Sequence, residues 1–406
     1  MRKYRLTLSG CYIGYITQAL ILTLPSLLFT VFYNQFGISL YELGIIITIN
    51  FCFQITMDIS SAVFIERLGY RIPAIFAHLC CFLGLVAMSF LPSVFFGNYL
   101  AVCLPIFLTS VGGGLIEVLI SPIIEGLPSE KKSASMSLLH SFFCWGQLLT
   151  AILSTLYFHF FGIENWLFLP ILWSLVPLSN VFIFLKSPLP EVPKKEKSLG
   201  MRSLLKNKAF LLFLILMFCS GAAEQSMSQW ASLFAETGLG VSKEIGDLLG
   251  ISLFAALMGS SRLFYGLKSE KIKLSKFILL SGILCIISYA ITVFSRNPLV
   301  SLFGCALCGL SVGIMWPGSF SLSCKTFPKG RTAMFALMAF SGDLGCAIGP
   351  GLVGVLSDFF NNQNLALSIL SGDSTQQGLK FGLMFASVFP ILLVFCIITI
   401  RKKKMK

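Results

Sequence analysis

The sequence predicts an all-α membrane protein with twelve transmembrane helices in two pseudo-symmetric six-helix bundles. Of its 406 residues, 56% are hydrophobic and only 12% are charged, against about 25% charged residues in soluble proteins. The apolar residues recur in blocks of about 20 residues or more, which is the length that spans a bilayer as a helix. One long polar stretch, 187–207, separates six such blocks from six more.

Each apolar block is assigned one helix. The twelve predicted helices cover 7–32, 42–65, 72–93, 99–125, 133–161, 165–186, 208–236, 244–267, 274–295, 298–324, 332–358 and 379–400. The first block lacks a small-residue cleavage site after its apolar region, so we expect it to remain as a membrane helix and not to be removed as a signal peptide.

The basic residues predict the orientation of these helices. Of the 30 lysines and arginines, 26 fall on the side of the two termini and the 187–207 stretch, and three, Lys243, Arg296 and Lys380, fall on the opposite side. Because positive residues concentrate in cytoplasmic loops, both termini are expected in the cytoplasm. The net charge of +13 is then explained by topology and by contact with anionic membrane lipids, so no nucleic-acid partner is expected.

Two halves are expected from the polar stretch and from a faint internal repeat. Gly113 precedes Gly313 by 200 residues. The predicted domains are an N-terminal bundle, 1–186, a cytoplasmic linker, 187–207, and a C-terminal bundle with a basic tail, 208–406. Such parallel repeats are typical of rocking transporters that hold a solute between the halves near the membrane midplane.

The loop after the second helix carries a recognisable pattern. Residues 62–71 read AVFIERLGYR, with Glu66 and Arg67 as an acid–arginine pair, and a second copy containing Glu270 follows the eighth helix. Together with the six-plus-six layout, this pattern resembles the major facilitator superfamily, although Ala62 replaces the usual glycine. The resemblance implies a gating role on the cytoplasmic side for these charged residues.

The fourth helix is similar to that of the fucose permease branch of the same superfamily. Residues 112–122 read GGGLIEVLISP, a glycine-rich stretch that leads to the embedded Glu117. The resemblance implies proton-coupled uptake of a sugar, with Glu117 in the coupling role. The aspartate that this branch carries in its first helix is absent here, and Gln18 is the nearest polar candidate.

Charges inside the membrane are expensive and must face protein, water or a partner. Counting from the turn between the fourth and fifth helices puts Glu117 and His140 at nearly one depth, where they are predicted either to pass a proton or to form a static pair. Asp343 is a second titrating site or a structural partner. Asp58 and Arg262 lie at similar depths and are expected either to form an ion pair between bundles, which would act in gating, or to be satisfied within their own bundles.

The seventh helix adds a polar face suited to a solute with hydroxyl groups. Glu224, Gln225 and Gln229 offer donors and acceptors, and the Trp230 indole offers a flat apolar face with one donor. By pseudo-symmetry, Trp316 in the tenth helix corresponds to the Glu117 region. The alternative for this face is hydrogen bonding between helices. The predicted solute contacts are therefore Gln18, Glu117, these four residues of the seventh helix and Trp316.

The sequence gives less support to other functional hypotheses. It contains no GxxxxGK[ST] phosphate loop and no HExxH zinc motif, so we expect neither an enzyme nor a bound cofactor or metal. A proton gradient is the expected energy source, and a monomer is the expected oligomeric state. A drug or metabolite exporter remains the main alternative. A membrane-embedded enzyme with His140 and Glu117 as an acid–base pair, and a sensor that does not transport, are the others.

Overall fold

Helices make up most of the residues that the structure describes, in keeping with the prediction. The computed structural model describes residues 2–95, 99–128, 132–191, 201–268, 272–327, 331–363, 370, 372 and 374–404. Within these residues, twelve helices are long and apolar enough to cross a membrane. This confirms the predicted fold class.

The helices are numbered here by membrane crossing. The first six are α1 (Arg5–Leu27, continued by Phe29–Phe36), α2 (Leu40–Leu68), α3 (Arg71–Val94), α4 (Tyr99–Gly126), α5 (Lys132–Phe161) and α6 (Phe168–Lys186). The last six are α7 (Lys208–Leu233, with a π-helical turn Phe234–Gly238), α8 (Lys243–Gly246, a π-helical turn Asp247–Ser252, and Leu253–Lys268), α9 (Leu274–Phe294), α10 (Pro298–Val312 and Met315–Thr326), α11 (Arg331–Asn362) and α12 (Ser374–Ala386 and Val388–Lys404).

Contacts divide the chain into two compact units. Unit 1 comprises Met1–Ile38 and Ile49–Lys194, and unit 2 comprises Ser39–Thr48 and Lys195–Lys406. The first turns of α2 therefore belong to unit 2, whereas the rest of that helix belongs to unit 1. The linker and domain boundaries drawn from the sequence stay a prediction.

Unit 1 is held together by close helix crossings at small residues. A Cβ atom built on Gly84 of α3 would lie 2.8 Å from the Pro105 carbonyl oxygen of α4, and one built on Gly112 of α4 would lie 2.4 Å from the Ala77 carbonyl oxygen of α3. Real Cβ atoms do not approach carbonyl oxygens this closely. Glycine is therefore required for α3 and α4 to pack backbone to backbone, as small residues do in membrane bundles.

Unit 2 has a similar crossing between α7 and α11. A Cβ on Gly345 would lie 2.0 Å from the Phe218 carbonyl oxygen, and one on Gly349 would lie 2.8 Å from the Ala222 backbone. Further along α11, Gly354 faces Gly44 in the part of α2 that belongs to unit 2, where a Cβ on Gly44 would be 3.0 Å from the Gly354 Cα. The glycines that the sequence concentrates in α11 therefore serve close packing on two sides.

Replacing Gly345 should destabilise unit 2. We expect Gly345→Val to lower the free energy of unfolding by about 1–3 kcal/mol, because the added atoms overlap the α7 backbone and force the helices apart. The matched control is Gly250→Ala, where a Cβ meets its nearest atom at 3.5 Å, an ordinary contact. Thermal unfolding in detergent would check this, and equal melting temperatures for the two variants would contradict it.

Candidate functional site

A chain of hydrogen-bonded side chains crosses the middle of unit 1. The Gln18 Nε2 atom of α1 donates to the Gln54 Oε1 atom of α2 at 2.9 Å and to the Glu117 Oε2 atom of α4 at 3.3 Å. Gln54 Nε2 in turn donates to Asn50 Oδ1 at 3.4 Å, and the Ser110 hydroxyl of α4 donates to the same Asn50 oxygen. Three helices are thereby joined through polar side chains in an apolar surrounding.

Glycines in α4 make this chain possible. A Cβ on Gly113 would lie 2.9 Å from Gln18 Oε1, and a Cβ on Gly114 would lie 2.8 Å from the Gln54 carbonyl oxygen. Because these positions carry no side chain, α1 and α2 approach α4 closely enough for amides to reach Glu117. The glycine-rich stretch noted in the sequence therefore positions the site.

Tyr15 lies beside the Glu117 region on its second side. Its hydroxyl is 3.0 Å from the Ser121 hydroxyl, one turn after Glu117, and its ring makes an edge contact with the His140 imidazole, with 5.2 Å between ring centroids. The structure thus brings Gln18 to Glu117 and places Tyr15 between α4 and His140. A proton-passing role for Glu117 and His140 stays a prediction.

Unit 2 contains a second polar group, on α7 and α8. Glu224, Gln225 and Gln229 are all buried, and Gln229 Nε2 donates to Gln225 Oε1 at 3.1 Å. The Arg262 Nη2 atom lies 3.9 Å from Glu224 Oε2. This distance is within ion-pair range but longer than a charge-assisted hydrogen bond of about 2.7–2.9 Å. Arg262 thus has one partner within its own unit, and its predicted pairing with Asp58, whose side chain lies outside the described residues, stays a prediction.

The backbone of α10 explains why Arg262 sits where it does. Pro317 has no N–H group, so the carbonyl of Gly313, four residues earlier, loses its helical donor. The helix is interrupted at this point, between Val312 and Met315. Arg262 Nε donates to the Gly313 carbonyl oxygen at 3.1 Å. The arginine therefore satisfies an oxygen that the proline has exposed.

The two predicted tryptophan contacts differ in their surroundings. Trp230 is fully buried and its Nε1 donates to the Pro350 carbonyl at 3.0 Å, so in this structure it packs α7 against α11. Trp316 is half-buried and lies over Gly342, where a Cβ would be 2.3 Å from the indole ring. The neighbouring Asp343 is buried. Trp316 therefore lies against the residue that precedes Asp343 in α11, and the predicted roles of Trp316 and Asp343 stay predictions.

Sequence reasoning missed a buried ion pair at the start of α8. Lys243 Nζ lies 3.1 Å from Asp247 Oδ2 and donates to the Ser232 hydroxyl of α7 at 3.1 Å; the lysine side chain is 9% exposed and the aspartate 0%. In the sequence, Lys243 is recognisable only as one of three basic residues on the side opposite the termini. The four-residue spacing of opposite charges on one helix was the available signal.

The loop after α2 is described only in part. The side chains of Asp58 and Glu66, and all of Glu270, lie outside the described residues, while Arg67 is exposed. Burial, followed by the charge of Glu125, raises the pKa of the neighbouring Tyr70. The predicted gating roles of these charged residues therefore remain predictions.

Arg71, the last residue of the 62–71 pattern, has a defined structural role. Its Nη1 donates to the Leu185 carbonyl at 3.0 Å and its Nη2 to the Ser187 carbonyl at 2.9 Å. These carbonyls lie at the end of α6, where helical partners run out and a cation is favoured by the helix dipole. Arg71 therefore ties the end of α6 to the start of α3.

Metal ligands do not cluster in the described part of the chain. No group of three or more His, Cys, Asp or Glu side chains comes together there in a way that could hold a metal ion.

The Glu224–Arg262 pair should be energetically coupled. We expect Arg262→Gln alone to cost about 3–5 kcal/mol of unfolding free energy, because it leaves a buried carboxylate without its guanidinium. The double variant with Glu224→Gln should cost less than the sum of the single variants by about 0.5–3 kcal/mol. Chemical denaturation in micelles would measure both.

A distant charge supplies the control for this cycle. Arg262→Gln combined with Asp247→Asn should be additive within about 0.5 kcal/mol, because the two residues lie about four turns apart on α8. Equal coupling energies in the two cycles would refute a specific Glu224–Arg262 interaction.

The chain is similar in sequence and in fold to known membrane proteins. A 154-residue match to "Membrane protein MosC" of Rhizobium meliloti is 25% identical and spans 38% of either chain. A bacterial homologue of the human lysosomal transporter Spinster, solved in an inward-facing and occupied conformation, has a TM-score of 0.75 at 12% identity, covering 98% of this chain and 96% of its own. The Escherichia coli fucose:proton symporter FucP has a TM-score of 0.63 at 16% identity, covering 97% and 99%.

At these low identities, the structural matches establish the fold alone. The family is established by sequence, because the model of the Major Facilitator Superfamily matches residues 11–350, most of the chain. Twelve membrane-spanning helices, the fold and this match agree, and the chain belongs to the major facilitator superfamily of membrane transporters.

Proposed function

We propose that this transporter moves a small hydroxylated solute, with sugars and related compounds favoured, by proton-coupled uptake. The observation that carries the proposal is a carboxylate, Glu117, embedded in α4 and hydrogen-bonded by the Gln18 amide. A charge at this depth costs at least about 2.5–3.5 kcal/mol, so ionisable groups retained inside membranes usually mark ion or substrate pathways. The cell membrane, with both termini in the cytoplasm, is the proposed location.

The amide-rich side chains support a solute with hydroxyl groups. Amides donate and accept at once, which matches the dual character of a hydroxyl. Gln18 in unit 1 and Gln225 with Gln229 in unit 2 provide three such groups. The E. coli neighbour whose fold is similar is described as a fucose:proton symporter, which agrees with the resemblance of the fourth helix.

In the proposed cycle, Glu117 takes up a proton from the outer side while the solute is bound. Neutralisation removes the energetic penalty of moving a charge through an apolar environment, so the protein can change conformation. Proton and solute then leave on the cytoplasmic side. His140 is proposed to assist the proton transfer, and Asp343 to be either a second titrating group or a structural partner.

Neutralising Glu117 should abolish coupling. We expect Glu117→Gln to reduce gradient-driven accumulation in proteoliposomes to the level reached without a gradient, because the amide cannot take up a proton. Solute exchange should persist. Radiolabelled L-fucose is the first probe, followed by any compound that stabilises the purified protein.

Glu125→Gln is the matched control for this test. It removes a carboxylate two turns further along α4, where the side chain is exposed, and should leave accumulation intact. Full accumulation by the Glu117→Gln variant would exclude a coupling role for Glu117.

The solute class can be tested by thermal shift. A ligand at about 100 times its Kd adds about 2.7 kcal/mol to the stability of the state that binds it, which is measurable as a higher melting temperature. We expect sugars, polyols or nucleosides to stabilise the protein and Gln225→Leu to remove that shift. Stabilisation by apolar cationic drugs alone would favour the exporter alternative.

A further inference from the structure

Each hydrogen bond of the unit 1 chain has a defined donor and acceptor. Gln18 donates one amide hydrogen to Glu117 and the other to Gln54; Gln54 donates to Asn50, and the Asn50 oxygen accepts from Ser110 as well. Every donor in this arrangement suits a Glu117 carboxylate, which only accepts hydrogen bonds. The sense of each amide is set by the partners it finds.

A protonated Glu117 would suit the reverse assignment, in which each donor of the chain becomes an acceptor and each acceptor a donor. With the hydrogen on Oε2, the carboxyl oxygen that Gln18 contacts, the O–H group is a donor and would face the Gln18 N–H group, another donor, if nothing else changed. Rotating the Gln18 amide by a half turn places its oxygen there instead, where it accepts from Glu117. Gln54 must then present its N–H group to that oxygen, so it rotates too, and Asn50 must do the same to supply a donor to Gln54.

Ser110 can close the reversed chain. Its hydroxyl lies 2.6 Å from the Ile106 carbonyl oxygen, so its hydrogen has a second acceptor one turn back on α4. The hydroxyl oxygen is then able to accept from the rotated Asn50 amide, because a hydroxyl both donates and accepts. All four links of the present chain therefore have counterparts after reversal.

We propose that Gln18, Gln54, Asn50 and Ser110 form a reversible amide relay, in which protonation of Glu117 inverts every hydrogen bond from α4 through α1 and α2 and back to α4. The proposal rests on the proposed function, in which Glu117 takes up the proton. Within this relay, Asn50, Gln54 and Ser110 are positioning residues that act on Glu117 through Gln18.

The Gln18 amide leaves one polar atom without a partner in either arrangement. The Gln18 Oε1 atom has no hydrogen-bond partner among the described residues and lies against Gly113. After rotation, the Nε2 atom would take its place in the same position. In either arrangement, one buried polar atom of Gln18 is therefore left at this position without a partner among the described residues.

Other titratable residues lie on the helices of this region. They are Tyr12 and Tyr15 on α1, His140 on α5, Glu125 further along α4, Asp58 on α2, whose side chain lies outside the described residues, and His78 on α3. The His78 ring nitrogens are already engaged with the Ala74 carbonyl and the Asn180 amide. Of the set, Glu117 is the group that the Gln18 amide contacts in the described structure.

Difference infrared spectroscopy tests the relay directly and needs no solute. The full-length protein in liposomes would be made with glutamine carrying ¹³C at the side-chain carbonyl, and spectra recorded as pH is stepped through the titration of Glu117. We expect a carboxylic acid band that is lost in Glu117→Gln, accompanied by glutamine bands that shift with the label and are lost in the same variant.

Variants separate the relay from its surroundings. Gln54→Leu should keep the Glu117 band and lose the part of the glutamine signal that belongs to Gln54; Ser110→Ala, a smaller change, should shift the apparent titration midpoint. Gln377→Leu, which removes an amide of α12 in unit 2, is the spectral control and should retain the Glu117-linked signals.

The outcomes distinguish the relay from the transport proposal. A Glu117 band without any label-sensitive glutamine band would overturn the relay and leave proton coupling standing. A spectrum of Gln54→Leu identical to the wild type would do the same. If no carboxylic acid band depended on Glu117, the relay and the coupling role would both fall, while solute transport itself would still be decided by the proteoliposome assay.

Discussion

Close backbone approach at three consecutive glycines is the constraint on which unit 1 depends. Gly112 faces α3, Gly113 faces the Gln18 side chain of α1, and Gly114 faces the backbone of α2 at Gln54. Polar groups removed from water in a membrane must bond to each other, because an unpaired one is costly. The glycines shorten the distance between helices until the amides reach Glu117, so packing and the polar chain are one arrangement.

In unit 2, polar groups removed from water are paired through a charge pair and at a helix interruption. Pro317 removes the donor for the Gly313 carbonyl, and Arg262 supplies it from α8 while also lying near Glu224. A cation at the end of a helix segment is favoured by the helix dipole. Arg262 therefore has two reasons to be retained inside the membrane, and both are local to its own unit.

Much of this organisation could be predicted from the sequence. Hydropathy predicts the twelve helices, and the glycine-rich approach to Glu117 points to the site in α4. Partners between helices were harder to predict: Asn50 was recognisable as part of a polar face, but periodicity does not say which side chain meets it. The burial of Lys243 could not be predicted, because it depends on how α8 packs against α7. Periodicity specifies the face of a helix, whereas tertiary packing chooses the neighbour.

The two embedded glutamates differ in one described contact, and this difference agrees with the coupling role proposed for Glu117. Glu224 lies beside a guanidinium, a permanent cation that compensates the ionised carboxylate and would be left uncompensated if the carboxylate were neutralised. The hydrogen bond to Glu117 comes from Gln18, a neutral amide that serves either protonation state by rotating. A group that must gain and lose a proton in each transport cycle needs surroundings that tolerate both states. Neutral amides meet that requirement, whereas a fixed positive charge favours one state.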